Sequence, residues 1–156
     1  MAITGSTSFR SSADVLEVAG GGPILLYDGT CGFCARSVQF VLRHEPPSGV
    51  LRFARLEGAI GQSLRARYPE LASIDSLIWY EPATATTPTR ILLRSRGALR
   101  VARYLGGFWA ALGALGMVVP RRLSDAVYAW IARHRRELAA AACIVPAPSQ
   151  RARFID

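Results

Sequence analysis

The stretch Ile24-Leu25-Leu26-Tyr27-Asp28-Gly29-Thr30-Cys31-Gly32-Phe33-Cys34 decides how this chain reads. Its four leading apolar residues suit a buried central strand. Asp28-Gly29-Thr30 is the connection, with Thr30 placed to cap a helix whose first residue is Cys31. One helical turn puts the sulfurs of Cys31 and Cys34 on one face, close enough to form a disulfide. A helix N-terminus offers free N–H groups and positive partial charge, and both favour a thiolate. The thiolate is the nucleophile of thiol–disulfide exchange. Redox chemistry on a cysteine pair is therefore the first expectation.

Outward from that stretch, Cys34, Val38, Val41 and Leu42 share one helix face, while Arg36 and Arg43 point away. Pro46-Pro47-Ser48-Gly49 ends the helix. Val50 to Leu56 reads as a second strand, Ile60, Leu64, Tyr68 and Leu71 mark a second helix, and Leu77 to Tyr80 is a third strand. A loop rich in Thr and Pro, Glu81 to Thr89, leads to a fourth strand, Ile91 to Leu93. Ser95 is placed to cap a third helix that runs to about Leu105. The order is β-α-β-α-β-β-α. Its first half is a parallel βαβ unit, and its last two strands are joined by a loop of hairpin length. This resembles the thioredoxin fold, with a cysteine pair where that fold carries it. Two further helices follow, so the expected class is α/β, a thioredoxin-like core with additional C-terminal helices. Leu123, Val127, Trp130, Ile131, His134 and Leu138 form an apolar stripe on the last helix, with His134 expected in the core.

Composition narrows the function. The chain has 156 residues, of which 51% are hydrophobic, enough for one domain with a substantial core. The formal charge of +8 is carried by arginine alone, because the sequence has no lysine. Beside abundant alanine, this points to a G/C-rich coding bias as strongly as to selection for arginine. The basic residues are scattered, which argues against nucleic acid as a partner. Three cysteines, an odd number, argue against a disulfide-stapled secreted scaffold. Met1 to Gly22 lacks an apolar signal core and reads as a mobile tail, leaving 23–156 as the single domain and the cytoplasm as the expected compartment. Tyr104 to Pro120 is an uncharged run of 17 residues between Arg103 and Arg121, at the bottom of the spanning range of ~17–25. Its glycines and the helical recurrence of Leu105, Phe108, Trp109 and Leu112 favour a core or interfacial helix over a membrane span.

With those residues in place, the chain resembles the DCC family of thiol–disulfide oxidoreductases, named for an Asp-Cys-Cys signature. The opening motif, an apolar strand followed by Asp-Gly-x-Cys-x-x-Cys, is complete at Tyr27 to Cys34. Leu51-Arg52-Phe53-Ala54 resembles the family's second strand, and Arg94-Ser95 with Ala98-Leu99-Arg100 its Arg-Ser element. Arg96 stands where that element usually has an acidic residue. Pro120, Tyr128, Ala132-Arg133 and Arg135 resemble the C-terminal helix, and Cys143, Pro146, Pro148 and Arg153-Phe154 the tail. The resemblance implies thiol–disulfide exchange; a protein or small-molecule disulfide as substrate, recycling by a cellular thiol reductant, and no bound cofactor or metal are the expectations that go with it.

The candidate site residues are Cys31, Cys34 and Asp28. Cys31, nearer solvent and the helix dipole, is the expected attacking thiol. Cys34, a turn deeper, is the expected resolving thiol. The other readings of the pair are a structural disulfide, two unreactive thiols, or half of a zinc site. Zinc takes four ligands, and the remaining candidates, Cys143, His44 and His134, lack paired spacing. Asp28 has two readings: a general base for Cys34, or an acceptor of N–H groups in the turn. Thioredoxin-fold oxidoreductases usually carry a cis proline before the third strand. Here that place reads Ser73-Ile74-Asp75-Ser76, so the substrate-docking edge is expected to differ. The alternative function is a non-catalytic thioredoxin-like interaction module, resting on a membrane surface through 104–119.

Overall fold

A computed structural model describes residues 21–138 and 147–155. Strand β1 (Ile24–Tyr27) leads to helix α1 (Gly32–His44), then β2 (Arg52–Arg55) and α2 (Ala59–Arg67). A short 3-10 turn, Pro69–Leu71, precedes β3 (Ile78–Glu81), and β4 (Arg90–Leu93) runs straight into α3 (Arg94–Leu105). Helices α4 (Gly107–Val118) and α5 (Arg121–Leu138) follow, and a 3-10 segment, Pro148–Arg153, lies near the C-terminus.

The sheet order is β2-β1-β3-β4. β1 and β2 are parallel, with Leu25 opposite Phe53, while β3 is antiparallel to both β1 and β4. This is the thioredoxin-like core expected from the order of apolar runs. Alternation along β1 explains its burial on both faces. Ile24 and Leu26 pack with Leu56, Ile60, Leu64 and Ile78. Leu25 and Tyr27 point the other way, into a second cluster with Val38, Val41, Phe53 and Trp79. Cys34 belongs to that second cluster, so the site residue is also part of the packing of α1.

Several boundaries differ from the sequence reading. The second strand is shorter than Val50 to Leu56, and Val50 is exposed. Helix α1 starts at Gly32 with Cys31 as its N-cap, and no side chain caps it. Thr30 is not the cap because its hydroxyl already donates to Asp28 Oδ1 at 2.7 Å. Ser95 is not a cap either. The strand passes into α3 through Arg94, whose φ of 53° makes the turn without a loop, and Leu93 is the N-cap residue. The Ser95 hydroxyl instead donates to Asp125 of α5, and that half-buried bond ties α3 to the last helix.

Helix α4 packs on α3 through small residues. A Cβ at Gly113 would stand 2.8 Å from the Leu99 carbonyl oxygen, so only glycine permits this approach. The apolar stripe of α5 is turned inward only in part. Leu123, Val127 and Trp130 are exposed, His134 is half-buried with Nδ1 bonded to the Trp130 carbonyl at 2.8 Å, and Ile131 faces inward. The inward face of α5 is the more polar one, carrying Ser124, Tyr128 and Arg135, because it covers the cysteine end of the sheet. Residues 1–20 of the expected tail and Cys143 lie outside the described residues.

The C-terminal segment is clasped to β2. Arg153 bonds both carboxylate oxygens of Glu45 and donates to the Leu51 carbonyl from Nε at 2.9 Å. Phe154 stacks on Phe53 with ring centroids 5.2 Å apart.

Candidate active site

The two thiols sit at different depths on the same helix start. Cys31 is half-buried and Cys34 buried, and both are free thiols. As N-cap, Cys31 has extended backbone (φ −94°, ψ 115°) while its carbonyl accepts the first helical bond, from the Ala35 N–H at 3.0 Å. Cys31 therefore stands at the positive end of α1. Cys34 packs on the core side, and burial is the first reason its pKa is pushed up to about 12, from an ordinary 9.0. A side-chain hydrogen bond with Cys31 and the negative charge of Cys31 and Asp28 add to the effect, against an opposing backbone hydrogen bond at Asp28. Cys34 is thus a protonated thiol at neutral pH.

Asp28 serves the turn. Its Oδ1 accepts from the Thr30 N–H at 2.8 Å and the Thr30 hydroxyl at 2.7 Å, an Asx-type arrangement that shapes the loop into Cys31. Burial works against its charge. Hydrogen bonds with Thr30 and Glu57 and the positive charge of Arg135 outweigh burial, leaving the carboxyl below its ordinary range.

Arg135 completes the cluster from α5. Its Nη2 lies 2.9 Å from Asp75 Oδ2 and 3.9 Å from Asp28 Oδ2, and its Nη1 donates to the Asp75 carbonyl at 2.8 Å. Its side chain is 13% exposed. Burial disfavours this cation, yet Asp75, Cys31, Cys34 and Asp28 together hold its pKa above the ordinary arginine value. Tyr128, two helical turns before Arg135 on the same face, is raised mainly by burial, and its hydroxyl bonds the Ser76 side chain. Ser76 is buried at the place where the thioredoxin pattern has its cis proline, and no cis peptide occurs among the described residues.

Neither Arg135 nor Tyr128 was among the site residues read from the sequence. Their seven-residue spacing was visible, but nothing local shows which face of α5 meets the cysteines. Of the other metal-ligand candidates, His44 Nδ1 bonds the Phe40 carbonyl at 2.8 Å and its ring stacks on Phe40, His134 Nδ1 bonds the Trp130 carbonyl, and Cys143 lies outside the described residues. Among the described residues, no three His, Cys, Asp or Glu side chains gather as a metal site requires.

Beside Cys34 lies a cavity of about 490 Å³, walled by Phe33, Phe40, Leu77, Val101 and Ile131. That size falls in the range of small-molecule sites, roughly 300–1,000 Å³. Tyr128 and Arg135 separate it from a more polar hollow bordered by Asp75, Arg94, Asp125 and Arg133.

A family model for DCC1-like thiol-disulfide oxidoreductases matches residues 25–141. The uncharacterized protein YuxK of Bacillus subtilis (strain 168) is 33% identical over 136 residues, covering 85% of this chain and 93% of its own length. No solved structure matches the chain.

Proposed function

The chain belongs to the DCC1-like thiol-disulfide oxidoreductase family, and from that premise we propose that it exchanges disulfides through Cys31 and Cys34. The observation that carries the reading is the pairing of an accessible thiol with a buried one beside a shared cation, Arg135.

In the first step the Cys31 thiolate attacks one sulfur of a substrate disulfide. That S–S bond breaks, a mixed disulfide forms at Cys31, and the departing sulfur leaves as a thiolate that takes up a proton. In the second step Cys34 loses its proton and attacks the Cys31 sulfur. The second substrate thiol leaves, the pair becomes a disulfide, and two electrons have passed from protein to substrate. A cellular thiol reductant returns them. The substrate is a protein or small-molecule disulfide whose apolar part can rest against Phe33 and the cavity beyond it.

Arg135 is the group that favours negative charge on either sulfur as it develops. Asp28, already ionised and bonded to Thr30, is a weak proton acceptor, and its role is to position the turn and Arg135. Because Ser76 stands in place of the proline, Tyr128 and Ser76 shape the docking edge.

The test is oxidation of the reduced full chain by a small-molecule disulfide, followed by peptide mapping. A Cys31–Cys34 disulfide, with two reduced thiols released per chain, is expected. A stable adduct on Cys143, with the 31–34 peptide still reduced, would oppose the reading.

A further inference from the structure

Nine large hydrophobic side chains are exposed among the described residues, and seven of them lie on α4 and α5. Single exposed apolar residues are normal, but a run of them along one helix face, repeated on two consecutive helices, marks an interaction surface.

Helix α4, Gly-Phe-Trp-Ala-Ala-Leu-Gly-Ala-Leu-Gly-Met-Val, contains no polar side chain. A helix that packs on one face only is expected to be polar on the other. One face of α4 is taken by α3 at Gly113. The opposite face presents Phe108, Leu112, Leu115 and Val118, with Val118 82% exposed. At 12 residues the helix is about 18 Å long, too short to cross a hydrocarbon layer of ~30 Å. No helix among the described residues is long and apolar enough to span.

Helix α5 shows the pattern of an interfacial helix. Leu123, Val127 and Trp130 form an exposed stripe, with Trp130 52% exposed. Arg122 and Arg133, both exposed, lie roughly a quarter turn to one side of it. An apolar stripe with a tryptophan, flanked by long cationic side chains that can reach back to water, is suited to lying in a headgroup layer.

We propose that the outward faces of α4 and α5 dock this protein on an anionic lipid bilayer surface. Charge complementarity selects that occupant. A second copy would bring together two chains of net charge +8, each with arginines beside its apolar stripe. An anionic bilayer attracts the same arginines and buries the same stripe. Tyr128 and Arg135 occupy the opposite face of α5, so docking places the cysteine pair on the side of that helix away from the lipid.

The experiment is vesicle sedimentation of the purified, reduced full chain. Vesicles of phosphatidylcholine alone are compared with vesicles in which phosphatidylglycerol replaces part of it, at low and high salt. Binding to the anionic vesicles, a blue shift of tryptophan emission that Trp130→Phe diminishes, and weakening by salt are expected. Leu115→Glu and Trp130→Glu, both at exposed positions, are each expected to weaken binding by about tenfold or more. Disulfide exchange in solution should be unchanged in both, which separates this claim from the thiol chemistry. The proposal is overturned if the wild-type chain stays in the supernatant with anionic vesicles. It is overturned equally by indifference to lipid charge, or by variants that bind as the wild type does. A wild-type dimer in analytical ultracentrifugation that Leu115→Glu splits, without vesicle binding, would assign the face to a second copy instead.

Discussion

Arg135 Nη2 stands 3.9 Å from Asp28 Oδ2, joining the last long helix to the turn that presents Cys31. The same guanidinium bonds Asp75 on the strand-entry loop, so one side chain connects three separate parts of the chain at the thiol pair. Its position implies a role in the rate of exchange more than in stability.

Arg135→Gln is expected to slow reaction of Cys31 with a disulfide by roughly threefold or more at neutral pH, as a nearby cation favours negative charge on the attacking sulfur. Arg135→Lys should recover part of the rate but not the bidentate contact with Asp75. Stopped-flow kinetics across pH, with thermal melts in parallel, checks this. An unchanged pH profile in Arg135→Gln would mean that the cation does not act on the thiols.

Cys34 makes reduced-state stability depend on alkaline pH. Its folded pKa, about 12, is above the ordinary 9.0, so the unfolded chain loses this proton more readily. The contribution is complete below pH 9 and is lost as pH rises toward 12, by up to about 1.4 kcal/mol per pH unit. Tyr80, Tyr104 and Tyr128 are also raised, chiefly by burial, and act in the same direction. The difference between wild type and Cys34→Ser in denaturant melts across pH 8 to 11, under reducing conditions, isolates the cysteine. The variant should show the shallower decline.

Asp28→Asn keeps an oxygen acceptor for Thr30 but removes a negative charge that raises Cys34. Resolution of the mixed disulfide should therefore persist, and Cys34 should deprotonate at lower pH than in wild type. Single-turnover release of the second thiol measures it. Complete loss of that step, with the turn intact, would restore Asp28 as the base.

The Glu45–Arg153 pair should matter for stability. The Glu45 side chain is 8% exposed, and Arg153 also bonds the Leu51 carbonyl. Arg153→Ala leaves that carboxylate with the Tyr104 hydroxyl at 3.3 Å but no cation, at a cost of about 3 kcal/mol in denaturant titration. Exchange at Cys31 should be little affected.

The sheet was legible because β1 and β3 are short apolar runs beside Pro23 and Asp28 or Pro82, while β2 and β4 keep apolar residues between arginines, and the parallel β1–β2 and antiparallel β3–β4 pairings follow from connection length. The cysteine turn was legible in part. Thr30 has the right chemistry for a cap, but Asp28 competes for its hydroxyl. Ser95 failed as a cap for a tertiary reason, a bond to Asp125 far along the chain. The orientation of α5 was not legible. Periodicity gives the stripe Leu123, Val127, Trp130, Ile131, His134 and Leu138, and burial of such a stripe is the usual outcome, yet Leu123, Val127 and Trp130 are exposed and the face carrying Tyr128 and Arg135 turns inward. Arg135 therefore stayed hidden among nineteen arginines.

The division of labour between the two thiols is tested most directly by trapping. A Cys143→Ser background carrying Cys34→Ser is mixed with a small-molecule disulfide, alongside the same background carrying Cys31→Ser. The expected result is a stable mixed disulfide at Cys31 in the first protein, formed rapidly at neutral pH, and little or no adduct at Cys34 in the second. Equal trapping at Cys34, or no adduct at Cys31 until the protein is unfolded, would contradict the assignment of Cys31 as the nucleophile.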